Sequence, residues 1–167
     1  MPYAYYARLS QANKAVYRQS AAIDTIPLEH SKRLRPIVRK LERELAYEQR
    51  AGIAIAVREL CHRLLEDLGT APVTVKLLAA RPSHAWGELH GLYEPAEGRR
   101  RARITVWMRT AQQKKVVAFK AFLRTVLHEL CHHLDYELFG LADSFHTEGF
   151  FKRESSLFRQ LTGKPRG

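Results

Sequence analysis

Residues 123–135 read Leu-Arg-Thr-Val-Leu-His-Glu-Leu-Cys-His-His-Leu-Asp, and the reading of the whole chain turns on them. Apolar residues recur here at helical spacing, with Phe119, Phe122, Leu123, Val126, Leu127, Leu130, Leu134 and Leu138 on one stripe. The pattern predicts a helix over 115–139, with Lys114 and Lys115 at its opening and Gly140 ending it.

Within that helix His128 and His132 stand four residues apart, so both imidazoles point the same way and can grip one ion. Glu129 projects roughly a quarter-turn away, close enough to serve the ion's water without ligating the ion. Zinc brings the pKa of such a water to about 7, and a carboxylate can take its proton as it attacks a carbonyl. The five-residue pattern also arises by chance, with a surface histidine cluster as the alternative, so a third ligand is needed. Catalytic zinc takes three protein ligands and keeps one position open. His146, fourteen residues beyond His132 and past the Gly140 break, is expected to close the site. Glu148 and Glu154 are its rivals.

Other residues near the motif are candidates for supporting roles. Asp135 could orient an imidazole, and His133 could either contact Glu129 or face solvent. Tyr136, His90 and Tyr93 are candidates to stabilise an oxyanion. His30, His62 and His84 have no spacing partner and read as structural or surface residues.

Working outward, residues 148–162 read as a closing helix that buries Phe150, Phe151, Leu157, Phe158 and Leu161. Before the motif helix the period is two. Strands are expected at 73–77, at 86–93 and at 102–108, where Ile104, Val106 and Met108 share a face. The third strand, or the second, is expected to be a sheet edge that takes peptide as an added strand. Residues 4–20 read as a weakly amphipathic helix. Residues 34–68 carry a helical stripe from Leu34 to Leu68, with Pro36 suited to a first turn and Gly52 a candidate break. The plan is α+β: N-terminal helices, a small three-stranded sheet, the metal helix and a C-terminal helix.

The chain has 167 residues, 46% hydrophobic and 27% charged, which fits one domain over 1–167 with a helical part at 1–69 and a core at 70–163. Cys61 and Cys131 are too few for a disulfide framework and read as reduced core thiols. The opening MPYAYYARLS lacks a positive stretch followed by an apolar run, so no signal peptide is expected and the cytoplasm is the default. The formal charge of +11 suggests a polyanionic partner, nucleic acid first. Arg99, Arg100, Arg101 and Arg103, with Lys114 and Lys115, form a candidate DNA-binding surface near the metal helix, with a solvated arginine loop as the alternative.

LRTVLHELCHHLD, followed by SFHTEGFFKRESSLFRQL, resembles the SprT-like (Spartan-like) zinc metallopeptidases. That family pairs an HExxH helix with a later histidine in a His-x-x-x-Phe context, matched here by His146 to Phe150. ITVWMRT upstream resembles the strand leading into its metal helix, so the likeness spans about residues 73–161. The resemblance implies a zincin-like fold, Zn2+ held by His128, His132 and His146, Glu129 as general base, and proteolysis of DNA-associated proteins. The chain departs from the family in having no cysteine-rich DNA-binding tail, His133 after the motif and Thr147 where a glycine is usual. Two other functions stay open: a nucleic-acid-binding module with structural zinc, and a site-specific regulatory peptidase.

Overall fold

Leu34, Val38, Leu41 and Leu45 lie on one side of α2 (Ser31–Ala46) and are buried, while Lys32, Arg33, Arg39 and Arg43 on the other side are exposed. They pack against α3 (Arg50–Asp67), which buries Ile53, Ala56, Val57, Leu60, Cys61, Leu64 and Leu65. The break between these helices falls at residues 47–49, where Glu48 adopts a positive φ of 54°. Gly52 does not split the stripe; it sits in the first turn of α3, where a Cβ would run into the Glu44 carboxylate. Pro36 lies in the second turn of α2 rather than the first, because the helix starts at Ser31.

The computed structural model describes residues 1–85 and 87–163. The expected N-terminal helix is two pieces, a 3-10 turn over Ala4–Arg8 and α1 (Gln11–Ala22). Ser10 divides them: its hydroxyl accepts from the Asn13 N–H and caps α1.

After Gly69 the chain enters a three-stranded sheet of β1 (Thr74–Ala80), β5 (Arg103–Arg109) and β4 (Gly91–Glu94), in the order β1-β5-β4. β1 runs parallel to β5 and β4 antiparallel to it. The expected third strand is therefore central and cannot be an edge. Its burial agrees, with Ile104 through Met108 all buried, so both faces are covered. The expected second strand over 86–93 is two short ones. β2 (Ser83–His84) and β3 (Gly87–Glu88) form a separate small hairpin, and β4 resumes at Gly91; Trp86 lies outside the described residues. Glu88 draws the hairpin aside by accepting from the Ala111 N–H at 2.5 Å.

α4 runs over Phe119–Glu137, four residues shorter at its start than expected. Residues 114–118 instead fold back on β5, with a bridge between Val116 and Arg109 and the Val117 N–H donating to the Met108 carbonyl at 2.8 Å. Lys114 and Lys115 thus do not open the helix. α5 (Glu148–Thr162) is capped by Thr147, whose hydroxyl accepts from the Phe150 N–H. One contiguous apolar core joins α2, α3, β1, β5, α4 and α5. Cys61 and Cys131 lie within it as free thiols, and burial pushes the Cys61 thiol up to about 12. No helix among the described residues is long and apolar enough to cross a membrane.

Candidate metal centre

The helical spacing of His128 and His132 turns both rings toward one side of α4, and the loop before α5 brings His146 against them. Each of the three histidines offers one ring nitrogen to the cluster, and these three atoms all lie within 4.8 Å of one another. His132 Nε2 and His146 Nε2 are 3.0 Å apart. Two imidazole nitrogens held by one tetrahedral zinc at ~2.0–2.1 Å stand about 3.3 Å apart, so this spacing suits a shared ion. All three rings pack on Phe150, with centroid distances of 4.9, 4.7 and 5.1 Å. Phe150 is fully buried and forms an apolar floor beneath the nitrogens.

Two of the imidazoles are oriented from behind. Glu154 Oε1 lies 2.8 Å from His128 Nδ1. A carboxylate only accepts, so Nδ1 carries the proton and Nε2 presents its lone pair to the cluster. For His132 the support is indirect. The Ser144 hydroxyl donates to Asp135 Oδ2 at 2.7 Å, which leaves its oxygen to accept from His132 Nδ1 at 2.7 Å. Asp135 therefore acts on an imidazole as expected, but through Ser144, a residue the sequence did not single out. Burial pushes the His132 imidazolium down to about 3, aided by repulsion from His128 and His146, so the ring is neutral and able to ligate.

Neither glutamate proposed as a rival ligand joins the cluster. Glu154 supports His128, and Glu148 accepts from the Tyr17 hydroxyl at 2.7 Å. Behind the site Asp135 pairs with Arg153 at 2.9 Å, and both side chains are wholly buried. Burial raises the Asp135 carboxyl although Arg153 and Ser144 pull it down.

Glu129 lies one residue round from His128 and is only 7% exposed. Burial lifts its carboxyl to about 7; His128 pulls it down and Glu154 pushes it up. β4 presses directly on it. A Cβ at Gly91 would come within 2.7 Å of Thr125 Cγ2 and 3.0 Å of Glu129 Cγ, so only glycine permits this approach.

The histidines and Glu129 open into a cleft of about 630 Å³ bounded by Gly91, Leu92 and Tyr93 of β4 on one side and Phe151 on another. His90, Tyr93 and Tyr136 all line it. The two phenol hydroxyls are already engaged. Tyr136 donates to Asp143 Oδ1 at 3.1 Å, and Tyr93 pairs with His133 Nδ1 at 2.9 Å. His133 Nε2 in turn meets the Ala71 carbonyl at 2.8 Å, so Nε2 holds the proton and Tyr93 is the donor to Nδ1. His133 is thus neither solvent-facing nor a partner of Glu129; it is fully buried and ties β4 to the segment before β1.

None of the residues of the expected basic surface lines the cleft. Arg103 and Arg100 are drawn onto Glu94, at 2.8 and 3.5 Å, while Arg99 and Arg101 are exposed. Lys114 and Lys115 line a different cleft with Glu42 and Glu48. The arginine that does line the cleft is Arg124, held over the Phe158 ring at 4.2 Å and near Glu154. Its place on α4, one turn before His128, was the available signal. Of the remaining histidines, His62 is exposed beside Glu66, and the His30 N–H caps onto Asp67. No protein-family model, curated protein or solved structure matches the chain.

Proposed function

We propose that the chain is a zinc metallopeptidase of SprT-like, zincin-like character, with His128, His132 and His146 as metal ligands and Glu129 as catalytic base. The observation that carries this is the buried carboxylate of Glu129 beside three convergent imidazoles at the floor of an open cleft. Bound zinc would supply Lewis acidity, polarising the scissile carbonyl and making water a stronger acid.

The chain's own residues account for the rest. Glu154, and Asp135 through Ser144, hold two imidazoles in the tautomer that presents Nε2. Glu129 takes a proton from the attacking water as the new C–O bond forms, then delivers it to the departing amine nitrogen as the C–N bond breaks. Burial lifts that carboxyl above the usual carboxylate range, and the charge of a bound ion would draw it back down, keeping it ionised to accept the proton near neutral pH. β4 pairs with β5 on one side only, and its residues 91–93 line the cleft. An extended substrate adding to that free edge would bring a backbone carbonyl alongside the cluster without demanding a particular sequence.

A structural zinc site closes with four protein ligands. The cluster has three among the described residues, which favours catalysis over a binding module with structural metal. The net charge of +11 and exposed Arg99 and Arg101 support DNA-associated proteins as the substrate class, and the unpaired buried thiols suit the cytoplasm. The test is to measure zinc content, then follow cleavage of an unstructured protein by wild type and Glu129→Gln, with and without DNA. About one zinc per chain and activity lost in the variant support the proposal. Equal cleavage by both proteins overturns it. Indifference to DNA, or cleavage confined to one partner protein, would favour the regulatory peptidase.

A further inference from the structure

We infer that the N-terminal 22 residues act as a brace that positions His146, with Tyr5 as its principal positioning residue. This rests on reading His146 as a metal ligand. His128 and His132 are fixed twice over, by a helix and by a partner on Nδ1. His146 has neither support: it sits in the irregular segment before α5, is exposed, and has no side chain on its Nδ1 among the described residues. What holds it acts on the backbone instead.

Four consecutive positions, 146 to 149, are each gripped by the N-terminal segment. The Tyr5 hydroxyl donates to the His146 carbonyl at 2.6 Å. Ser20 Oγ and Thr147 Oγ1 meet at 2.9 Å, both fully buried. The Tyr17 hydroxyl donates to Glu148 and accepts from the Tyr3 N–H at 2.9 Å, linking the chain start to the same loop. Gly149 lies against the carbonyls of Ser20, Ala21 and Ile23, where a Cβ would come within 2.7 Å of the Ile23 oxygen. Arg153, one turn into α5, fastens the same end of α1 by donating to the Ser20 and Ile23 carbonyls. A ligand loop already ordered by such contacts does not have to be ordered when metal binds, and that preorganisation raises affinity.

The experiment measures zinc affinity by chelator competition, and the absorption spectrum of the cobalt-substituted protein, for wild type, His146→Ala, Tyr5→Phe, Tyr5→Phe/Tyr17→Phe and Tyr6→Phe. Tyr6 is the control, because its hydroxyl serves Arg18 and does not touch the loop. Tyr5→Phe should weaken zinc binding about 10-fold, the low end for loss of an outer support, and alter the cobalt spectrum. The double variant should bind more weakly still, and Tyr6→Phe should match wild type. If His146→Ala abolishes tight binding while Tyr5→Phe and the double variant bind like wild type, the brace is wrong and the metal assignment stands. If wild type takes up no zinc, or His146→Ala binds as tightly as wild type, both fall. A Tyr5→Phe loss accompanied by a lower metal-free melting temperature, with the cobalt spectrum unchanged, also overturns the brace.

Discussion

Glu154 Oε1, on α5, lies 2.8 Å from His128 Nδ1, on α4, across 26 residues of sequence. The contact makes Glu154 a support of the histidine cluster rather than a member of it. Glu154→Gln can still accept a hydrogen bond but loses the charge that makes the imidazole more basic. Zinc affinity should fall about 10–100-fold, as for outer partners generally, while His146→Ala should lose most of the metal. Titration of both variants against a chelator of known affinity checks the order. Complete loss of zinc from Glu154→Gln with retention by His146→Ala would reverse the two roles.

Glu129→Gln should keep fold and zinc and lose hydrolysis by about 10²–10⁴-fold, because the amide cannot accept the water's proton. Metal content and circular dichroism measured beside the rate separate this from unfolding. A variant as fast as wild type would remove Glu129 from the reaction.

Gly91→Ala should damage activity without touching a ligand. Its Cβ would have to displace Thr125 and Glu129, the nearest atoms at 2.7 and 3.0 Å, and would lever β4 away from α4. Overpacking of this kind costs about 1–3 kcal/mol. The expected result is a lower kcat/KM with zinc content unchanged. Wild-type kinetics would mean that the edge of β4 need not sit so close to the base.

Arg153→Met takes away the cation that partners Asp135 and leaves only Ser144 donating to its carboxyl, at a site where both side chains of the pair are 0% exposed. Breaking a buried pair from one side costs about 3–5 kcal/mol, which for a chain of this size lowers the melting temperature by at least about 6 °C. Asp135→Leu combined with Arg153→Met should recover only part of that, since the Ser20 and Ile23 carbonyls still lose their donor. Calorimetry of the single and double variants reads both effects. Full recovery would mean that those carbonyls find water at no cost.

For the DNA-linked part of the proposal, Arg99→Ala/Arg101→Ala should weaken binding to duplex DNA and flatten its salt dependence by about 0.9 per lost phosphate contact. Arg100→Ala should matter less, because Glu94 and Glu97 already hold that guanidinium. Affinities across a salt series are the measurement. Absence of binding at low salt would leave a peptidase without DNA.

How much was legible beforehand can be traced residue by residue. His128, Glu129 and His132 could be read directly, because a helix converts a spacing of four into a shared direction without help from the rest of the chain. The apolar stripes of α2, α3, α4 and α5 were legible for the same reason, and so was the α+β order. What only the tertiary structure decided were relations between distant segments. That β5 is the central strand depends on β1 and β4 pairing on either side of it, and a run of alternating residues does not state how many neighbours it has. Glu154 behind His128, Ser144 between Asp135 and His132, and Tyr93 on His133 each join elements through one or two hydrogen bonds, which leave no period in the sequence. The same holds for the N-terminal segment, whose residues 4–20 read as a polar helix with no assigned role and which folds onto the loop that carries His146. Sequence periodicity records which face of an element is apolar; which distant side chain meets that face is settled only when the chain closes on itself.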